Sequence, residues 1–220
     1  INTWYHLALK RENGLWTFFV DGVSQGTSTL HATYDFGPTI DWSIMAHPTA
    51  TGYDNAGYVE DFRIATDLIK YPFIPAKETL TAISGTSFLT AHAATITDGS
   101  SNSLSITSQG DPTVSDFAPA QGMKSVHFDG NDYLQIADGT YKTFGSDNWT
   151  IEAWVYPTEV GTGFGNYIWG DTASSGATNT SSTAVNYNSS GKFNAYITVA
   201  GPTILTLTAS NLITPINKWY

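Results

Sequence analysis

Residues 1–27 read INTWYHLALKRENGLWTFFVDGVSQGT. Tyr5, Leu7 and Leu9 alternate with His6, Ala8 and Lys10, the period of two expected of a strand. Asn13-Gly14 then supplies the positive φ angles of a tight hairpin turn. The run from Leu15 to Val20 places Trp16, Phe18 and Val20 on one face, and Asp21-Gly22 turns the chain again. Two strands and two turns in so short a stretch predict an antiparallel sheet. The last five residues, INKWY at 216–220, nearly copy the first five, INTWY. The offset implies a repeat of about 215 residues, the size of a domain, and an internal piece of a longer chain is expected.

The rest of the chain continues the β pattern. Strands are expected at 40–46, 57–65, 88–90, 103–107, 124–129, 133–137, 149–156, 166–171, 183–188, 192–199 and 203–208, separated by Gly, Pro, Asn and Asp clusters. Residues 124–129 and 133–137 read as a hairpin around Gly130-Asn131-Asp132. Residues 70–75, KYPFIP, read as an extended edge segment because neither proline can donate to a ladder. WTIEAWVY at 149–156 puts Trp149, Ile151, Ala153 and Val155 on one face and Thr150, Glu152, Trp154 and Tyr156 on the other, so both faces are expected to be covered, with a partner for Glu152, in a central strand. No segment has a convincing helical period, which leaves a sandwich or a barrel.

Composition narrows the class of protein. Of 220 residues 13% are charged, below the usual quarter, and the net charge is −10. The acidity is spread, with 5 basic and 9 acidic groups up to residue 82 and 4 and 10 beyond it. That balance argues against a nucleic acid as partner, since phosphate contacts need Lys and Arg. There are no cysteines, which removes disulfides, thiolate metal sites and cysteine catalysis. No apolar run is long enough for a membrane-spanning helix.

Five short motifs carry a family resemblance: FDGNDYLQI, WTIEAWVYP, WYHLALKR, FFVDG and VEDFRI. Together they resemble the laminin-G-like, pentraxin-like and concanavalin A-like jelly rolls, where the order is FDG, WVYP, WYH, VDG, DFRI. Here WYH, VDG and DFRI come first. The resemblance implies an all-β, two-sheet antiparallel jelly-roll sandwich of the concanavalin A-like lectin/glucanase type. It also implies a division into 1–82, similar to the back of such a domain, a junction at 83–86, and 87–220, similar to the front. The two parts are then expected to complete each other, within one chain or between neighbours, because half a sandwich exposes its core. The DGSSNSLSIT stretch ahead of FDG is similar to repeats in viral fibre and bacterial surface proteins.

No catalytic residues are expected. Glu152 stands alone in its strand, while Glu60 and Asp61 are adjacent and should point to opposite faces, with Glu60 beside Phe62 and Ile64. Glycosidases need two carboxyls held at a set spacing. The five histidines show no metal or triad spacing. Calcium is the candidate cofactor, since Asp129, Asn131 and Asp132 gather hard oxygen donors in one turn. Glycan binding is expected of Trp42, Tyr53, Asp54, Asn55, Tyr58 and Tyr167, with Phe164 beside them, as aromatic faces next to polar loop residues. The function expected is a non-catalytic structural or adhesive repeat of an extracellular, cell-surface or virion fibre. Its partners are neighbouring copies of the repeat and, weakly, glycans. A stand-alone calcium-dependent lectin and a degenerate glycoside hydrolase are the alternatives.

Overall fold

The computed structural model describes residues 2–30, 32, 41–47, 52–66, 75–136, 147–160, 166–171, 182–198 and 204–209. The C-terminal INKWY copy, Phe164 and residues 70–74 of the KYPFIP segment lie outside them.

Two antiparallel sheets face each other. The first contains β1 (Tyr5–Glu12), β2 (Leu15–Val20), β3 (Val23–Ser28), β5 (Ala56–Ala65), β6 (Thr86–Thr90), β8 (Thr113–Ser115), β9 (Ser125–Asp129) and β11 (Trp149–Pro157). Its order is β3-β2-β1-β11-β5-β9-β8, with β6 also paired to β5. The second contains β4 (Trp42–Ile44), β7 (Ile106–Gln109), β10 (Tyr133–Ile136), β12 (Asn166–Asp171), β13 (Ser182–Tyr187), β14 (Phe193–Thr198) and β15 (Ile204–Thr208). Its order is β15-β14-β13-β12-β4-β10-β7. The fold is the expected all-β, two-sheet jelly-roll sandwich, without a helix among the described residues.

The opening stretch folds as its pattern dictates. Asn13 and Gly14 have φ of 51° and 76°, and Asp21 and Gly22 have 49° and 76°. Two consecutive positive φ values match the right-handed twist of the strands they join, which closes β1-β2 and β2-β3. Tyr5, Leu7, Leu9, Phe18 and Val20 then enter the core. From the second sheet, Ile44, Leu134, Trp169, Val185 and Ile197 meet them. Arg11 ends the inward row of β1. It is fully buried, donates from Nε and Nη2 to the Asp147 carbonyl at 3.0 and 2.8 Å, and lies over the rings of Trp16 and Trp149.

β11 is central, as expected, between β1 and β5. Leu7 faces Ala153 on one side, and Ile64 faces Ile151 on the other. Strands from both sides of residues 83–86 thus interleave within one chain, in both sheets.

Two expectations are corrected. Residues 125–129 and 133–136 do not form a hairpin: β9 pairs with β5 and β8, while β10 pairs with β4 and β7 in the opposite sheet. The turn at 130–132 is a corner between sheets. Asp132 holds it by accepting the N–H of Asp129 at 3.1 Å and of Asp111 at 2.9 Å, so no ladder is needed there. Nor do Glu60 and Asp61 point to opposite faces. β5 carries a bulge, since Trp154 faces Glu60 but Glu152 faces Arg63. Asp61, with φ of 53°, is the extra residue. The bulge reverses the alternation, so Val59, Phe62 and Ile64 are in the core while Glu60 joins Arg63 on the outer face.

Candidate functional site

The ends of β9 and β11 and the starts of β1, β5, β10 and β12 meet at one end of the sandwich. Three groups of side chains collect there.

The first is an aromatic platform on the outer face of the first sheet. Alternation turns Tyr58 outward from β5 and Tyr156 outward from β11, and Trp4 precedes the inward Tyr5. Trp4 lies 5.5 Å from Tyr156 and 6.3 Å from Tyr58 by ring centroids. Phe117, from the loop after β8, reaches across all three at 5.7, 4.9 and 4.8 Å. His127 packs on Tyr58 at 4.6 Å. Phe117 remains 44% exposed, and Trp4, Tyr58 and Tyr156 are half-buried, so the rings reach solvent.

The second group is His47, Tyr53 and Tyr167. Their rings lie 4.7 to 6.3 Å apart. The Tyr167 N–H donates to the Tyr53 carbonyl at 3.1 Å, and the Asn55 N–H to the Met45 carbonyl at 2.8 Å, which ties the three segments together. Burial lowers the His47 pKa and raises that of Asp54. Burial, then Tyr196 and Tyr53, push the Tyr167 phenol up to about 12. The shifts at His47 and Tyr167 favour their neutral forms, which act as hydrogen-bond donors and acceptors. Asn55 is fully buried, and its side-chain amide has no partner among the described residues.

The third is an acidic rim. Ligand atoms of Asp111, Asp129 and Asp132 lie within 4.8 Å of one another. Gly110 makes this approach possible: its φ is 73°, and a Cβ there would stand 2.1 Å from Asp132 Oδ1. The Asp129 carboxylate accepts the N–H of Asn131 at 3.0 Å, so Asn131 braces the turn while Asp111 takes the third corner. Three carboxylates fall short of the six to eight oxygens a calcium ion takes, and Asp129 and Asp132 already hold turn N–H groups.

The sequence-predicted residues therefore divide. Tyr53, Asp54, Asn55 and Tyr167 gather in one place, and Tyr58 belongs to the platform on the other sheet. Trp42 lies in the core at 2% exposure and offers no face to a ligand, because the outward position on β4 is Ser43. Trp4, Phe117, Tyr156 and Asp111 were not anticipated. Strand alternation around Tyr5 and Val155 carries the signal for Trp4 and Tyr156. Phe117 and Asp111 arrive through loop paths that no local pattern encodes.

Residues 128–220 match a laminin-G family model, described as the concanavalin A-like lectin/glucanases superfamily. The two-sheet sandwich is consistent with a laminin-G-like domain. Comparisons with curated proteins and with solved structures found no match. The matched part of the sandwich begins at Phe128 in β9 and includes β10 to β15. Its strands pair directly with β1, β4 and β5 of residues 1–127. The superfamily points to a carbohydrate-binding or structural role.

Proposed function

We propose that this domain is a non-catalytic, glycan-binding adhesive unit of an extracellular, cell-surface or virion fibre, and that the Trp4–Tyr58–Phe117–Tyr156 platform is its contact surface. The observation that carries the reading is the clustering of four rings, one of them 44% exposed, at a rim rich in carboxylates. Sugar rings present apolar C–H faces with polar edges, and an aromatic face beside hydrogen-bonding groups complements both. The hydrogen-bonding groups at His47, Tyr53 and Tyr167 suit hydroxyl groups in the same way. A calcium ion at the Asp111, Asp129 and Asp132 rim would need its remaining oxygens from water or from the glycan itself. A shallow surface of this kind binds weakly, and repetition along a fibre of neighbouring copies would make it effective.

Burial of the adjacent Glu60 and Asp61 supports the non-catalytic part. Glu60 is fully buried and Asp61 is 1% exposed, so neither meets a glycosidic bond. The test is a glycan array probed with the multimerised domain, with calcium and with chelator, beside Phe117→Ala and Trp4→Ala. Binding that falls at least about tenfold in both variants, with melting unchanged in Phe117→Ala, is expected. Undiminished binding in both would remove the platform. Loss with chelator alone would move the site to the acidic rim.

A further inference from the structure

The outer face of the first sheet carries a buried ionisable cluster that glycan binding does not use. Glu152 on β11 is ion-paired with His6 of β1 at 3.2 Å and with Arg63 of β5, whose Nε donates at 2.8 Å. Burial alone would raise the Glu152 carboxyl, but these two partners hold it below the usual range. Beside it lie Glu60 and Asp61, brought together by the bulge. Both oxygens of Glu60 and Oδ1 of Asp61 lack a donor from any other described residue. Two ionised carboxylates in contact would leave three of their four oxygens without a donor; one proton between them supplies a donor.

A segment of chain crosses above this pair. Residues 75–83 connect toward β6, and hydrogen bonds tie them to the sheet. The Leu80 N–H donates to Asp61 Oδ2 at 2.9 Å, and Trp154 Nε1 donates to the Ala76 carbonyl at 3.1 Å. Lys77 and Glu78 on this strap are exposed.

We infer that the 75–83 strap closes over a proton shared by Glu60 and Asp61, so that docking the strap takes up a proton and raising the pH releases it. Burial, then the field of Asp61 and the bond between the two, raises the Glu60 pKa far above the carboxylate range. Burial also raises that of Asp61, against the opposing effects of Glu60 and the Leu80 N–H. Raised acid pKa values in the docked state mean that docking is favoured at low pH. The advantage declines once pH exceeds the ordinary carboxylate range and continues to fall through neutrality. Glu152 works oppositely, since its lowered pKa contributes stability that is lost only in acid. For one proton the open-to-docked ratio grows about tenfold per pH unit.

Hydrogen exchange followed by NMR tests this, reading the Leu80 amide and the Trp154 indole N–H from pH 5.5 to 8.5, with Leu7 and Ile151 amides as core references. Protection at Leu80 and Trp154 should fall with pH relative to the references, beyond the base-catalysed rise of an unstructured amide. Glu60→Gln, which keeps the shape and supplies a permanent donor, should remove the extra slope. An equal slope in Glu60→Gln and the parent, or strap protection that rises with pH, overturns the proposal. Should Glu60→Gln fail to fold, the parent decides alone: strap and core amides sharing one pH dependence would also overturn it.

Discussion

Asp98 shows how one side chain organises a loop. Its Oδ1 accepts the N–H of Leu89 at 3.0 Å and of Ser100 at 2.9 Å, and its Oδ2 accepts the Ser100 hydroxyl and the Leu104 N–H, both at 2.8 Å. One carboxylate therefore pins the segment between β6 and β7 to the sheet. Asp98→Ala leaves three backbone N–H groups without a partner, each costing about 1 kcal/mol or more when withheld from water. A loss of roughly 3 kcal/mol in denaturant unfolding is expected, and Asp98→Asn, which retains one acceptor oxygen, should lose less. Equal stability of Asp98→Ala and the parent would show that solvent satisfies these groups. In the sequence, the Asp, Gly, Ser and Asn cluster at 98–102 marks a break between strands. The reach of Asp98 to Leu89 and Leu104 is not legible there, since that depends on where β6 passes.

At the scale of elements, alternation and turn chemistry revealed most strands, and what they missed has a common cause. Period-two patterning says which residues face inward, but both sheets of a sandwich share one core. Val126 and Phe128 of β9, and Leu134 and Ile136 of β10, fill that core from opposite sides with identical patterns. Nothing local tells a corner from a hairpin. The bulge at Asp61 was invisible for a similar reason: one inserted residue reverses the pattern, and the sequence GYVEDFRIA reads smoothly without it. Close approach of strands is likewise a tertiary fact. Gly57 has φ of 150°, and a Cβ there would stand 2.2 Å from the Tyr156 carbonyl oxygen on the neighbouring strand. Gly122 also has positive φ, 87°, but open space around it. Gly57→Ala must therefore separate β5 from β11 and should cost about 3 kcal/mol, whereas Gly122→Ala should cost only the backbone strain, about 1 kcal/mol. Urea midpoints would measure both, and similar shifts for the two would mean that the strands yield without penalty.

For the molecule as a whole, the resemblance named the architecture, but only the pairing of β11 shows how the two parts of the chain depend on each other. β1 and β5, from residues 1–82, grip β11, from residues 87–220, along both edges. Leu7, Leu9, Val59, Phe62 and Ile64 lose their opposing surface if the parts separate. At roughly 2 kcal/mol for each large apolar side chain, these five account for about 10 kcal/mol, comparable with the 5–15 kcal/mol that holds a domain folded. The backbone joining the parts contributes much less: Ile83 and Ser84 are exposed, and the link is short. A chain cut between residues 83 and 86 should therefore yield fragments that show no cooperative melting alone, yet recover a single transition when refolded together. The mixture should melt lower than the intact chain and depend on concentration, because association replaces connection. A cooperative transition in either fragment by itself would mean that one part completes its own core, and that the grip on β11 is not what makes the sandwich one body.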